Sequence, residues 1–383
     1  MMTRSPLLAT LALALTAGLS GLAPVAASAA TVSVESSPTA GLDARNPLQN
    51  HRLRLTGPIE PGDAERIAAT LRGLRERSPR VGDLPLATLE LTGKGGDLQE
   101  GIRIGRLLRE YDVATVVRSG EVCLSACALI FLGGTATHAW PTALPSRSLE
   151  IGAELGFHNF TLNTGALLND ARKVRSDGTT RAFELARQGS ALMMRYALDM
   201  GVDAGFFAAL IGQLPETWTW IETVGQFLQL GITVQGALPP PGSLAEQAAN
   251  LCNHATGWQV GVKPNQARPV ATLPARPALG SDNAVVPVTA ASAGLNLRGP
   301  GRAPKAGPAA AVAPSSTAHF DIAGPSSDNF QMRCQVTLST VEIDSFEVAL
   351  ATAGGLLRGY ALPPAVNPGL LRYHRDDVLN PRR

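Results

Sequence analysis

Between residues 50 and 260 the spacing of apolar and polar positions switches repeatedly between a period of two and a helical period. His51-Arg52-Leu53-Arg54-Leu55-Thr56 alternates strictly, which predicts a half-buried strand. After Gly62-Asp63, the residues Ile67, Leu71 and Leu74 recur at i, i+4 and i+7, one face of a helix. Leu86 to Leu91 returns to strand, and Asp97-Leu98-Gln99-Glu100 has the form of a capping box that starts a helix through Glu110. Val113 to Val117 is apolar or β-branched throughout, as a strand buried on both faces would be. Ser125 to Leu132 is apolar on every side and predicts a helix in the middle of the domain. Arg181 to Met200 predicts a long helix with Phe183, Met193, Met194 and Ala197 as its apolar members, and Asp203 caps a short one. Thr223-x-x-Gln226 is a further capping box, Gly231 takes the C′ position, and Ile232-Thr233-Val234 closes the pattern as a strand. Alternation of this kind predicts an α/β domain with a largely parallel sheet over residues 50–260.

The flanks differ. Arg4 is the only charge before Glu35, Leu7 to Leu22 is a 16-residue uncharged run, and Ala27-Ser28-Ala29-Ala30 follows. That order of a charged start, an apolar run and small residues predicts a signal peptide over 1–30, cleaved after Ala29 or Ala30. The run falls short of the roughly 20 residues a retained anchor would need. Val122 to Ser146 is also uncharged, but Gly133, Gly134, Pro141 and Pro145 interrupt it, so it suits a buried helix and no membrane span is expected after cleavage. The expected location is periplasmic or secreted. Residues 264–325 hold ten prolines, six glycines, seven charges and one aromatic, Phe320, and predict a linker that cannot bury a core. Residues 329–383 then form a small C-terminal segment of a few strands at best.

Composition narrows the function classes. Of 383 residues 45% are hydrophobic and 17% charged, which excludes disorder throughout and allows about two domains. The 33 Lys and Arg against 31 Asp and Glu show no block of one sign, so no nucleic-acid stripe is expected. Export permits disulfides. Cys252 and Cys334 flank the linker and are the expected pair. Cys123 and Cys127, four apart, would not meet disulfide geometry comfortably on a regular helix, and their pairing stays open.

Three motifs carry candidate chemistry. Leu91-Thr92-Gly93-Lys94-Gly95-Gly96-Asp97 is a strand ending in a glycine turn before a capped helix, where bare N–H groups can hold an anion or an oxyanion. It lacks the Gly-Lys-Ser/Thr ending of a phosphate loop. In Gly120-Glu121-Val122-Cys123-Leu124-Ser125-Ala126-Cys127, a serine begins a buried helix after a strand. A serine in that place is ordinarily an N-cap. In Gly156-Phe157-His158-Asn159 a histidine ends an apolar stretch. The other histidines considered (His51, His138, His254 and His319) read as structural.

Taken together the motifs resemble the ClpP/crotonase superfamily, and within it the secreted ClpP-like periplasmic proteins. The resemblance covers roughly residues 50–235 and rests on Leu53-Arg54-Leu55-Thr56-Gly57-Pro58-Ile59, Gly95-Gly96, Cys123-x-Ser125-Ala126-Cys127 and Leu155-Gly156-Phe157-His158. It implies an α/β fold of repeated β-β-α units with Ser125 as nucleophile, His158 as general base, and the Gly96 and Ala126 N–H groups as oxyanion donors. It also implies a homo-oligomer with a polypeptide substrate. The protease members carry an aspartate where Thr219 falls here, so Glu216, the nearest acid, is the candidate third member. The 33 positions from Ser125 to His158 exceed the usual spacing and suggest an insert around Pro141 to Glu150, and Lys94 stands where relatives carry proline. The related signal peptide peptidases use a Ser-Lys dyad, for which Lys173 in a charged loop is a weaker base than His158. Crotonases bind coenzyme A thioesters, which an exported chain would rarely meet, so neither cofactor nor metal is expected. Two functions remain: a serine peptidase, or a catalytically inactive binding or assembly module on the same fold.

Overall fold

A computed structural model describes residues 29–36, 51–77, 85–139, 142–159, 177–237, 239–260, 268–269, 317–327, 330–352, 355–356 and 368–382. The leader expected over 1–30 lies outside them except for its last two residues. The linker expected over 264–325 lies outside them except for 268–269 and 317–325.

The first sheet contains β1 (Thr31–Ser36), β2 (His51–Thr56), β3 (Ala87–Thr92) and β4 (Val113–Val117). Between them run α1 (Asp63–Arg77) and α2 (Leu98–Tyr111). Next come β5 (Val122–Leu124), α3 (Ala126–Leu132), the hairpin β6 (Thr135–Ala139) and β7 (Thr142–Pro145), β8 (Arg147–Glu150) and β9 (Glu154–His158). They are followed by α4 (Asp177–Asp199), α5 (Ala204–Ile211), β10 (Trp218–Trp220), α6 (Val224–Leu230), β11 (Ile232–Gln235) and α7 (Leu244–Val260). The sheet order is β1-β2-β3-β4-β8-β11. Every pair from β2 to β11 is parallel, and β1 is antiparallel to β2. A three-stranded sheet, β10-β9-β5, stands beside it and carries the site. All seven residues of α3 are buried, as its unbroken apolar sequence requires.

Two sequence expectations are corrected within this body. The Asp97 side chain accepts from Glu100 N at 2.8 Å, but the Glu100 carboxylate does not close the box. Its Oε1 accepts instead from Gly62 N and Ala64 N at 2.9 and 2.7 Å, capping α1 from α2. The suspected insert around Pro141 to Glu150 contains β8, an interior strand of the main sheet. Arg147 on β8 is 1% exposed and donates to Leu230 O and Met200 O, at the ends of α6 and α4. Two helix C-termini thus face the guanidinium in place of a carboxylate.

The second body is antiparallel: β12 (Arg268–Pro269), β13 (Thr317–Ser327), β14 (Phe330–Ser339), β15 (Phe346–Thr352) and β16 (Gly355–Leu356). β13 includes residues 317–325, which composition had assigned to the linker. In it Phe320 and Ile322 alternate with Asp321 and pair with Val336 and Cys334. α7 also departs from the expected boundary at 260, since its Ala248, Leu251, Cys252 and Ala255 form one buried cluster with Ile322, Cys334, Val336 and Leu350. After a 3₁₀ turn, Pro368–Arg372, the chain returns to the first body. Val224 N donates to Asp377 O and Gly225 N to Arg375 O, while the Asn380 side chain joins Gly152 N and Ala153 O at 2.8 and 2.7 Å. Among the described residues no helix is long and apolar enough to cross a membrane.

Candidate active site

Ser125 sits where β5 turns into α3. β5 is held from both sides: Leu124 N donates to Gly93 O at 3.0 Å, and Leu124 is in parallel register with Gly156. Ser125 N continues that ladder to Gly156 O at 3.0 Å, but its φ of 55° and ψ of −121° break the strand. Among the described residues only Ser125 and Asp112 are non-glycine with positive φ, and Asp112 is a left-handed helix C-cap. A side chain held this way costs roughly 1–3 kcal/mol and persists only where the surroundings impose it. Although Ser125 occupies the N-cap position, its side chain caps nothing. The hydroxyl points elsewhere.

His158, at the end of β9, receives it. Its Nε2 lies 2.7 Å from Ser125 Oγ, and its Nδ1 lies 3.1 Å from Pro215 O. A carbonyl only accepts, so Nδ1 carries a proton, and in the neutral ring this leaves Nε2 as the acceptor for the serine hydroxyl. Trp218 pairs with His158 across β10 and packs its ring at 4.4 Å between centroids. Asn159 Nδ2 donates to Ile211 O and Gln213 O, tying the turn that presents Pro215 to the residue after His158.

The glycine turn lies against this pair. A Cβ on Gly95 would stand 2.7 Å from Ser125 Cβ and 3.0 Å from Ala126 N, and one on Gly96 would stand 2.1 Å from Ile59 O. Only glycine permits so close an approach. The N–H groups of Gly96 and Ala126 have no hydrogen-bond partner among the described residues. Gly96, Ala126, Ser125 and His158 all line one cleft of about 700 Å³. Leu129, Phe157, Leu192, Met193 and Leu210 supply apolar lining.

The structure therefore gathers Ser125, His158, Gly96 and Ala126, and leaves out the acid. Glu216 is exposed and makes no hydrogen bond to His158. Thr219 Oγ1 donates to Gln213 Oε1 at 2.9 Å. Lys173 lies outside the described residues. Sequence patterning assigns no role to Pro215 or Trp218, and none to Asn159 beyond its place in the histidine motif; the alternation Trp218-Thr219-Trp220 is the one signal available. Both cysteine pairs are bridged, Cys252 to Cys334 and, in the pairing left open, Cys123 to Cys127. Cys123 belongs to a strand, so the regular-helix geometry that disfavoured the second bridge does not apply. Among the described residues no three His, Cys, Asp or Glu side chains gather as a metal ion would require.

No family model matches the sequence, and no curated protein matches it. Among solved structures the chain is similar to a mutant ClpP1 from Listeria monocytogenes, at 16% identity over 48% of this chain and 92% of that one, with a TM-score of 0.34. The chemistry of the site rests on its own geometry.

Proposed function

We propose that this chain is an exported serine hydrolase, a ClpP-like peptidase. One observation carries the reading: a serine at a backbone-strained elbow sets its hydroxyl 2.7 Å from a histidine ring nitrogen, beside two unengaged N–H groups. Ser125 Oγ attacks the carbonyl of a bound peptide while His158 Nε2 takes its proton. The oxyanion is held by the Gly96 and Ala126 N–H groups, of which each is worth about 10²–10³ in rate in comparable sites. The imidazolium returns the proton to the leaving amine, and water repeats the cycle on the acyl-serine. Two disulfides fit a chain that matures in an oxidising compartment. A fluorophosphonate probe tests the reading, because it labels only an activated serine. Labelling of the wild type, and none of Ser125→Ala, is expected; an unlabelled wild type overturns it.

The second reading, an inactive binding or assembly module, is favoured by a different observation. The Nδ1 partner is the neutral Pro215 carbonyl, which fixes the tautomer but does not balance the imidazolium charge as a carboxylate would. The same labelling experiment separates the two.

A further inference from the structure

Two cysteines bracket the nucleophile, Cys123 and Cys127, with Ser125 midway between them. Their sulfurs are joined and their Cα atoms are 5.2 Å apart. A strand running straight through Ser125 would set those Cα atoms about 13 Å apart. The bridge therefore closes only over a chain that turns back at the serine. The positive φ of Ser125 is unfavourable, and its relaxation is opposed by the Ser125 N to Gly156 O, Leu124 N to Gly93 O and Leu129 N to Ser125 O bonds and by the disulfide. Only the disulfide is covalent. Both cysteines are buried, at 0% and 3% exposure, on the strand and the helix that flank Ser125, so opening the bridge acts inside the core. The other bridge joins α7 to β14 in the second body.

We propose that the Cys123–Cys127 disulfide is the positioning device of the nucleophile and makes the site redox-dependent. The inference rests on the hydrolase reading. With the bridge closed, Ser125 is held at Nε2 of His158. With it open, the elbow relaxes toward ordinary backbone and the hydroxyl leaves its base. Opening requires a dithiol: one thiolate attacks a cysteine sulfur, the S–S bond breaks, and the second thiol resolves the mixed disulfide. Cys123 and Cys127 gain two electrons and two protons, and the reductant becomes the disulfide. A chain still in a reducing compartment would carry an unset serine, and passage into an oxidising one would set it.

The test uses the full chain and follows the rate of fluorophosphonate labelling at Ser125, with far-UV circular dichroism as the folding check. Cys123→Ala/Cys127→Ala is expected to label about 10–100-fold more slowly than wild type, the scale of a small misplacement of a reacting group. Cys252→Ala/Cys334→Ala should label at the wild-type rate. Where the first variant does not fold, wild type reduced with dithiothreitol after folding replaces it, with alkylation and mass spectrometry locating the opened bridge. Labelling at the wild-type rate with Cys123 and Cys127 as thiols or alanines overturns the proposal, as does equal slowing in the Cys252/Cys334 variant. If oxidised wild type never labels, the hydrolase reading falls, and positioning is decided by NMR. The His158 imidazole resonances sense the Ser125 contact without turnover. They should move when the bridge opens, and unchanged resonances refute the positioning role.

Discussion

His158 turns its Nδ1 to the backbone carbonyl of Pro215 at 3.1 Å, where a full triad would place a carboxylate. The carbonyl holds the ring so that Nε2 accepts from Ser125 Oγ at 2.7 Å, and it does so whatever side chain occupies the position. On the proposed hydrolase reading, serine and histidine act as a unit with no third side chain to lose. Ser125→Ala and His158→Ala should each remove most fluorophosphonate labelling or hydrolysis, and the double variant should be no worse than either alone. Glu216→Gln should leave the rate unchanged, since the acid is exposed and makes no hydrogen bond to the ring. A large loss in that variant would show that the acid swings in.

The turn below the serine makes a sharper demand. Gly95 has a φ of 102°, and a Cβ there would stand 2.7 Å from Ser125 Cβ and 2.9 Å from Leu124 O. Gly95→Ala should push the elbow away from His158 and abolish labelling. Gly73→Ala makes the contrast: Gly73 lies inside α1, and its added Cβ would meet only the mobile end of Arg77 at 3.7 Å. That change should stabilise the protein by about 0.5–1 kcal/mol through helix propensity alone. Thermal unfolding of both variants checks the pair.

Local signals in the sequence were legible where one residue type has one job. Asp97 and Thr223 as caps, Gly231 at C′ and the apolar α3 all follow from such rules. Ser125, His158, Gly96 and Ala126 were singled out by the family resemblance, and the structure brings all four to one cleft. β8 was not legible, because its core position is an arginine whose partners are helix ends far along the chain. Glu100 matched a capping box, yet α1 packs close enough to claim its carboxylate. Pro215 acts through a backbone oxygen, which no side chain advertises. The Cys123–Cys127 bridge depends on a positive φ at a serine, a conformation that spacing alone does not suggest.

His254 on α7 gives the second body its own pH dependence. Its Nε2 lies 3.1 Å from Tyr373 O, and burial, with Arg375 and His374 nearby, pulls its pKa down from 6.5 to about 4. The folded protein therefore binds fewer protons than the unfolded chain between pH 6.5 and 4. Stability is full above pH 6.5 and falls as the pH drops through that window. The full shift corresponds to about 3 kcal/mol. His254 keeps some solvent contact, so about 2 kcal/mol is the expected loss. His254→Gln, which retains a donor for Tyr373 O, should flatten that part of a melting-temperature profile against pH.

The Cys252–Cys334 bridge spans 82 positions and joins α7 to β14 across the whole Pro-rich stretch. Closing so long a loop is worth roughly 4–5 kcal/mol in chain entropy, an upper figure because unfolded chains retain structure. Cys252→Ala/Cys334→Ala should lower stability by a large part of that amount, and native-state hydrogen exchange should speed up in β13, β14 and α7 ahead of the main sheet. The topology also predicts a distinctive cleavage pattern. The sequence from 270 to 316 has seven prolines and no aromatic residue, the composition of a linker, so a protease should cut there first. Cys252 lies before every such cut and Cys334 after it. The cleaved protein should therefore run as one species on a denaturing gel without reductant and as two fragments with it. Two fragments in both lanes would mean that the bridge is absent, and first cuts within 51–77 or 85–139 would mean that the folded core has been misassigned.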